Sequence, residues 1–137
     1  MYTNINWAAV VAGAIASMVV GFAWYSKAIL GVPWMKMMGL SADKMKKMQK
    51  SMGPMYGLSL IGSLVMATVF FEVLAWTGYW GMGKALWLGF KLWLGFVAPV
   101  QMTEVIFGSK KWGLFLINTG YQLVAILVMA LVFSVWH

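Results

Sequence analysis

The distribution of lysine around four long apolar segments is the feature that most constrains this chain. The segments cover about residues 7–25, 55–76, 85–107 and 113–136. Each is close to the ~20 residues that an α-helix needs to cross ~30 Å of hydrocarbon. The sequence therefore predicts an all-α membrane protein in which residues 1–137 form a single transmembrane domain of four helices.

Most of the lysines lie in the first and third connections, which a four-span bundle places on the same side of the membrane. They are Lys27, Lys36, Lys44, Lys46, Lys47 and Lys50 in the first connection, and Lys110 and Lys111 in the third. Cytoplasmic loops accumulate Lys and Arg, so both connections are predicted to face the cytoplasm and both termini the outside.

Composition and charge limit the classes of molecule that the chain is expected to bind. The chain is 63% hydrophobic and 9% charged, which excludes an ordinary soluble domain. Its net charge of +7 is concentrated beside the spans, and no basic domain is available to read a nucleic acid. Anionic lipid headgroups on the cytoplasmic side are the expected partner, at about 1 kcal/mol per surface lysine. The candidate contacts are Lys36, Lys44, Lys46, Lys47, Lys50, Lys110 and Lys111.

The first connection, a basic loop over residues 27–53, is predicted to contain a short amphipathic helix on the membrane surface. Met45, Met48 and Met52 share one helix face, with lysines around the remainder. Thioethers can bind cuprous ions, but no Cys or nearby His strengthens such a site. Burial of the methionines in the membrane is the preferred interpretation.

Aromatic residues agree with the predicted span limits. Twelve of the fourteen Trp and Tyr residues fall near span ends, where amphipathic rings prefer to lie. Trp93 and Tyr121 are the two that fall well inside a span.

A ridge of small residues runs along the first span at four-residue spacing: Ala9, Gly13, Ser17 and Gly21. Small side chains allow two helix backbones to approach closely inside lipid. The ridge is interpreted as a helix-packing seam, either within the monomer or between two copies of the chain.

Two opposite charges are predicted to lie at similar depth on adjacent spans, because Glu72 and Lys91 both fall about 6–10 Å below the outer interface when counted at 1.5 Å per residue. A packing salt bridge between them is the preferred interpretation, with snorkelling of Lys91 as its variant. A role in moving an ion or a polar substrate is the alternative, because intramembrane charges are often functional.

A second polar group is predicted in the inner half of the third and fourth spans. It comprises Gln101, Glu104, Asn118, Tyr121 and Gln122. Gln101–Glu104 and Asn118–Tyr121 are each spaced i, i+3, so each pair shares a helix face. The group is expected either to fasten the helical hairpin by hydrogen bonds or to line a water-filled vestibule.

Catalytic apparatus is missing from the sequence. The one histidine is His137, and the chain has no cysteine. Nucleophile–histidine pairs and metal-ligand clusters are therefore not available. The chain is expected not to be an enzyme and to need no cofactor.

Several ordered motifs resemble those of a known family. They are Trp24-Tyr25-Ser26, Gly31, Trp34-Met35, Met38-Gly39-Leu40, Gly95-Phe96-Val97-Ala98-Pro99, Lys111-Trp112 and Leu116-Ile117-Asn118-Thr119-Gly120-Tyr121. This pattern, across nearly the whole chain, resembles the DUF1761 family of small bacterial membrane proteins. Lys27 stands where that family usually has proline. The resemblance implies a four-span protein of the bacterial cytoplasmic membrane and no substrate.

Two functions are compatible with these features. The preferred one is a non-enzymatic accessory or scaffold protein that acts through helix packing and anionic-lipid contact. The alternative is a small oligomeric transporter or channel that uses the intramembrane polar residues. In either case a homo-oligomer, or a place in a larger membrane complex, is expected because four spans enclose little interior.

Overall fold

A computed structural model describes residues 5–24, 36, 52–108 and 112–137. The helices in these ranges are α1 (Trp7–Trp24), α2 (Met52–Thr77), α3 (Met82–Leu92), α4 (Ala98–Gly108) and α5 (Trp112–Val135). A π-helical turn, Trp93–Val97, joins α3 to α4 in one continuous span. Within the described ranges, four helical segments are long and apolar enough to cross a membrane: α1, most of α2, the α3–α4 span and α5.

These bounds confirm the all-helical, four-span prediction. The third span is longer than predicted, since it begins at Met82 and continues to Gly108. The predicted interfacial helix of the first connection falls outside the described residues. Of the candidate headgroup lysines, Lys36 is described and exposed, whereas Lys44, Lys46, Lys47, Lys50, Lys110 and Lys111 are outside the described ranges.

The helices pack around α5. Helix α5 lies against α1 on one side and against the α3–α4 span on the other, and α2 packs on α1. The core is richest near one end of the bundle, where the ring of Phe133 meets Phe71 edge-on at 5.3 Å and Phe70 at 6.1 Å. Ala9, Ala67, Ala85 and Ala130 are fully buried around these rings, so small side chains on α1, α2, α3 and α5 make room for the aromatic ones.

The start of α1, the end of α5 and the α2–α3 turn lie at that same end of the bundle, which we call the Gly78 end. The rings of Trp80 in the turn and His137 stack at a centroid distance of 4.2 Å, and Ile5 packs on the same core. Gly78 closes α2 with a φ of +72°, and its N–H donates to the Leu74 carbonyl at 2.8 Å. This left-handed residue is the usual way for a helix to stop, and it reverses the chain into α3.

The π-helical turn accommodates Pro99. Proline lacks an N–H, and in a regular α-helix its ring clashes with the carbonyl four residues earlier, here that of Gly95. Directly before the proline, the Ala98 N–H donates to Trp93 O, five residues back. The helix is widened by one residue here, and the third span continues without a break in its helical assignment.

Candidate functional site

The helices α1 and α5 are joined by two hydrogen bonds that run in opposite directions. The indole Nε1 of Trp24 donates to the carbonyl oxygen of Ile117 at 2.9 Å. The hydroxyl of Tyr121 donates to the carbonyl oxygen of Ser17 at 3.2 Å. Both acceptors are helical carbonyls, whose second lone pair remains available for a side-chain donor. Each bond therefore ties one helix to the backbone of the other.

Each of these aromatic rings also lies over a glycine of the facing helix. A Cβ added at Gly120 would approach the Trp24 ring to 3.1 Å, and one added at Gly21 would approach the Tyr121 ring to 3.1 Å. A larger residue at either glycine would hold the ring away from its acceptor. Trp24, Gly21, Tyr121 and Gly120 thus form a reciprocal contact, which we call the α1–α5 interlock.

A second link joins α5 to the third span, where the indole Nε1 of Trp93 donates to the carbonyl oxygen of Thr119 at 2.9 Å. The hydroxyl of Thr119, which is buried, donates to Gln101 Oε1 at 2.9 Å. Trp93 is the first residue of the π-helical turn and Gln101 lies about one helical turn beyond its end, so Thr119 contacts the third span on both sides of Pro99. We call this group the Thr119 cluster.

The interlock and the Thr119 cluster meet on a short stretch of α5. The backbone of residues 117–119 accepts an indole N–H from α1 at Ile117 and another from the third span at Thr119. Unpaired polar groups are costly in hydrocarbon, and here each donor has an acceptor. Among the described side chains, none has a fully buried nitrogen or oxygen atom without a hydrogen-bond partner. These polar groups connect helices.

The members of the predicted inner polar group lie in different surroundings. Gln101 and Tyr121 take part in the hydrogen bonds just described, Asn118 and Gln122 are half-buried, and Glu104 is exposed. Thr119 was not among the predicted residues, although its hydroxyl and carbonyl are central here. The sequence feature that could have pointed to this cluster is Trp93, because a Trp deep in a span needs a hydrogen-bond acceptor for its N–H.

The sequence-based interpretation paired Glu72 with Lys91, or let Lys91 snorkel outward. The structure contains no ion pair between these two described residues. Lys91 is exposed, and its ammonium lies 5.2 Å from the centroid of the Trp87 ring, one turn nearer the Gly78 end. The physical reason is the helix order: α3 packs chiefly on α5 and meets α2 only weakly, so equal depth does not bring the two side chains together.

The small-residue ridge of α1 packs inside the chain. Ala9 and Ser17 are buried, and a Cβ added at Gly13 would lie 2.9 Å from Cζ of Phe133 on α5. Gly21 faces Tyr121, which also belongs to α5. Because α5 covers this ridge, a contact between two copies of the chain would need another face.

An apolar groove opens where α2 and the third span diverge. It has a volume of about 340 Å³, and Ile126 of α5 contributes to its lining. Its walls are Met66, Val69 and Val73 of α2, and Leu92, Phe96 and Val97 of the third span. No polar surface lines it, so a water molecule would find no hydrogen-bond partner there.

In the part of the chain that the structure describes, no three His, Cys, Asp or Glu side chains lie close enough together to hold a metal ion. The arrangement offers chemistry of two kinds: hydrogen bonds that join helices, and an apolar recess at membrane depth.

Comparison with known proteins gives the family. The chain belongs to the family described as protein of unknown function DUF1761, whose model matches residues 8–134. The match confirms the resemblance inferred from the motifs. No significant match was found among curated proteins or among solved structures.

Proposed function

We propose that the protein is a non-enzymatic accessory or scaffold protein of the bacterial cytoplasmic membrane, which acts through helix packing and contact with anionic lipid. The observation that carries the proposal is that polar side chains inside the spans form hydrogen bonds between helices. Trp24, Trp93, Thr119, Gln101 and Tyr121 hold helices together. A passage for a polar substrate would need such groups to face water.

The face of α2 around Gly62 is a suitable surface for a partner helix or a second copy of the chain. Gly62 is exposed, and a Cβ added there would meet nothing within 4 Å. Ser59, one turn earlier, is also exposed. Small residues on an open helix face permit close approach of another transmembrane helix. The α1 ridge, by contrast, is already occupied by α5.

Orientation and lipid contact complete the proposal. The lysine distribution places both termini outside and the basic first and third connections at the cytoplasmic surface. There the lysines would attract anionic headgroups, with each ammonium contributing about 1 kcal/mol near the membrane surface. The described Lys36 is exposed, as this role requires.

The test is affinity purification from cells that produce the tagged protein at its natural level. Recovery in fixed stoichiometry, with a larger complex or a second copy, is the expected result. Gly62→Ile should release the partner. Gly57→Ile is the matched control, because Gly57 is equally open but lies on another face of α2. Recovery of a monomer alone at all concentrations would overturn the proposal.

A small transporter or channel is the second candidate, and one observation favours it. The third span contains a π-helical turn beside the Thr119 cluster, and such turns are frequent at functional sites. Ion and solute flux into vesicles that contain the purified protein distinguishes the two. The scaffold proposal expects no flux above that of empty vesicles. Flux that Gln101→Leu abolishes would support the transporter.

A further inference from the structure

The carboxylate of Glu72 lies on the open side of α2. Val65, Val69 and Trp76, which share that side of the helix at i−7, i−3 and i+4 from Glu72, are all exposed. Within the described ranges, no hydrogen bond or ion pair joins Glu72 to another residue. A carboxylate at membrane depth is costly unless it is paired. Its complement is therefore expected from outside the described chain.

Lys91 carries the opposite charge on the exposed side of the third span. Its ammonium lies 5.2 Å from the centroid of the Trp87 ring, and no carboxylate among the described residues pairs with it. A ring covers one side of an ammonium, which has three N–H donors, so donors remain for an anion. The contact with Trp87 fixes the position of the charge without neutralising it.

These two charges lie at the same depth. Glu72 is five residues from the end of α2 at Thr77, and Trp87, where the ammonium of Lys91 rests, is five residues from the start of α3 at Met82. At 1.5 Å per residue, each charge is about 7.5 Å from the Gly78 end. The other glutamate of the chain, Glu104, is four residues from the opposite end of the third span. Glu72 and Lys91 are thus matched in depth.

We propose that a second copy of this chain binds at this face, with Glu72 of each copy paired to Lys91 of the other. A two-fold axis along the membrane normal leaves depth unchanged, so two copies inserted in the same direction can bring the two residues together. One contact then forms two ion pairs and neutralises four charges at membrane depth. A different protein would need both complementary charges at that depth, whereas a second copy already carries them.

This inference rests on the proposed function, which needs a partner in the membrane, and it names that partner as a second copy. The two can fail separately. If the purified chain stays monomeric while purification at natural levels recovers a different protein, the inference fails and the scaffold proposal stands. Because the ion pairs join two chains, they add nothing to the unfolding free energy of a chain held alone.

Exchanging the charges tests the pairing. Glu72→Lys and Lys91→Glu are prepared as separate variants, and association is measured in liposomes by Förster transfer between labelled copies. Either variant alone sets like charges against each other at both contacts, so its self-association should be at least about tenfold weaker than that of the wild type, or about 1.4 kcal/mol. Mixing the two variants restores opposite charges at both contacts, and transfer should return.

Lys84→Glu is the matched control for charge reversal. Lys84 lies in the first turn of α3 with its ammonium toward the Tyr79 ring, so its reversal should leave association unchanged. Wild-type chains that show no transfer at any ratio of lipid to protein would overturn the proposal. Single variants that associate as the wild type does would show that these charges do not form the contact.

Cross-linking tests the same contact without adding a charge, since the chain has no cysteine of its own. Chains with Glu72→Cys are reconstituted with chains that carry Lys91→Cys and treated with a short bismaleimide. Each mixed dimer keeps one native ion pair, between Lys91 of the first chain and Glu72 of the second. We expect a cross-linked dimer from this mixture. Its absence would overturn the proposal.

The control mixture combines Glu104→Cys with Lys91→Cys. Positions 104 and 91 are 13 residues apart on the third span, which corresponds to about 20 Å in depth. Two copies inserted in the same direction cannot bring these positions together, so no cross-link is expected. Equal cross-linking in both mixtures would show random collision instead of a specific contact, and would contradict the pairing.

Discussion

Trp24 and Tyr121 each donate a hydrogen bond across the α1–α5 interface, in opposite directions, and each ring covers a glycine of the facing helix. The indole reaches from α1 to Ile117 O, and the phenol reaches from α5 to Ser17 O. Hydrogen bonds between membrane helices average only ~0.6 kcal/mol. Their main effect here is on helix orientation, because two opposed bonds set the rotation of each helix about its axis.

Removing the indole donor tests this interlock. Trp24→Phe should lower the free energy of unfolding in bilayers by about 1 kcal/mol, because Ile117 O loses a partner and the smaller ring leaves Gly120 uncovered. Trp7→Phe is the control, since Trp7 is 60% exposed at the other end of α1. Steric trapping in bicelles measures both. A loss in Trp24→Phe no larger than that in Trp7→Phe would contradict the interlock.

Two glycines provide a matched test of helix packing. Gly13→Val should destabilise the bundle by about 1–3 kcal/mol, because the new side chain meets the rigid ring of Phe133. Gly62→Val should leave the unfolding free energy of the monomer unchanged, since nothing lies within 4 Å of its Cβ position. Equal losses in the two variants would show that α1 does not pack on α5 through this ridge.

The four spans could be predicted from the sequence because crossing hydrocarbon sets a minimum length of apolar helix. The family could be inferred as well, since motifs such as Leu116–Tyr121 occur in order along the sequence. The depth of a residue in the membrane also follows from counting residues along its helix. What counting does not give is the direction in which a side chain points around the bundle axis. That direction depends on which helices are neighbours.

The positions of Glu72 and Lys91 show this limit. Both residues were placed at similar depth, but α3 packs on α5 instead of along α2. The Thr119 cluster was missed for a related reason, because Trp93 donates to a backbone carbonyl, which every residue carries. The π-helical turn before Pro99 was not predicted either, because its i→i+5 hydrogen bond joins backbone groups that every residue carries.

The two unpaired charges lead to a prediction about additivity. Glu72→Gln and Lys91→Met should change the free energy of unfolding independently, with a coupling energy within about 0.3–0.5 kcal/mol of zero. Glu72→Gln alone should be at least as stable as the wild type, because removing a carboxylate from membrane depth relieves a desolvation cost. A double-mutant cycle measures the coupling. Recovery of stability in the double variant would show that the residues pair after all.

Orientation can be measured directly because the chain has no cysteine. A single cysteine replacing Gly81 should react with a membrane-impermeant maleimide in intact cells, since the α2–α3 turn is predicted to face outside. A cysteine replacing Lys47 should react only after the cells are opened. Labelling of position 47 in intact cells would reverse the proposed topology.

The hydrogen bond between Thr119 and Gln101 tests most directly whether the intramembrane polar groups fasten helices. The measurement is a double-mutant cycle of bilayer stability with Thr119→Val and Gln101→Leu. Each single change should cost about 1 kcal/mol, because it leaves the other group unpaired in an apolar setting. The double variant should recover most of that loss, because a paired set of polar groups can be replaced by apolar ones of similar shape. Single variants as stable as the wild type would contradict the account, because polar groups that can be removed without cost are not what holds the helices together.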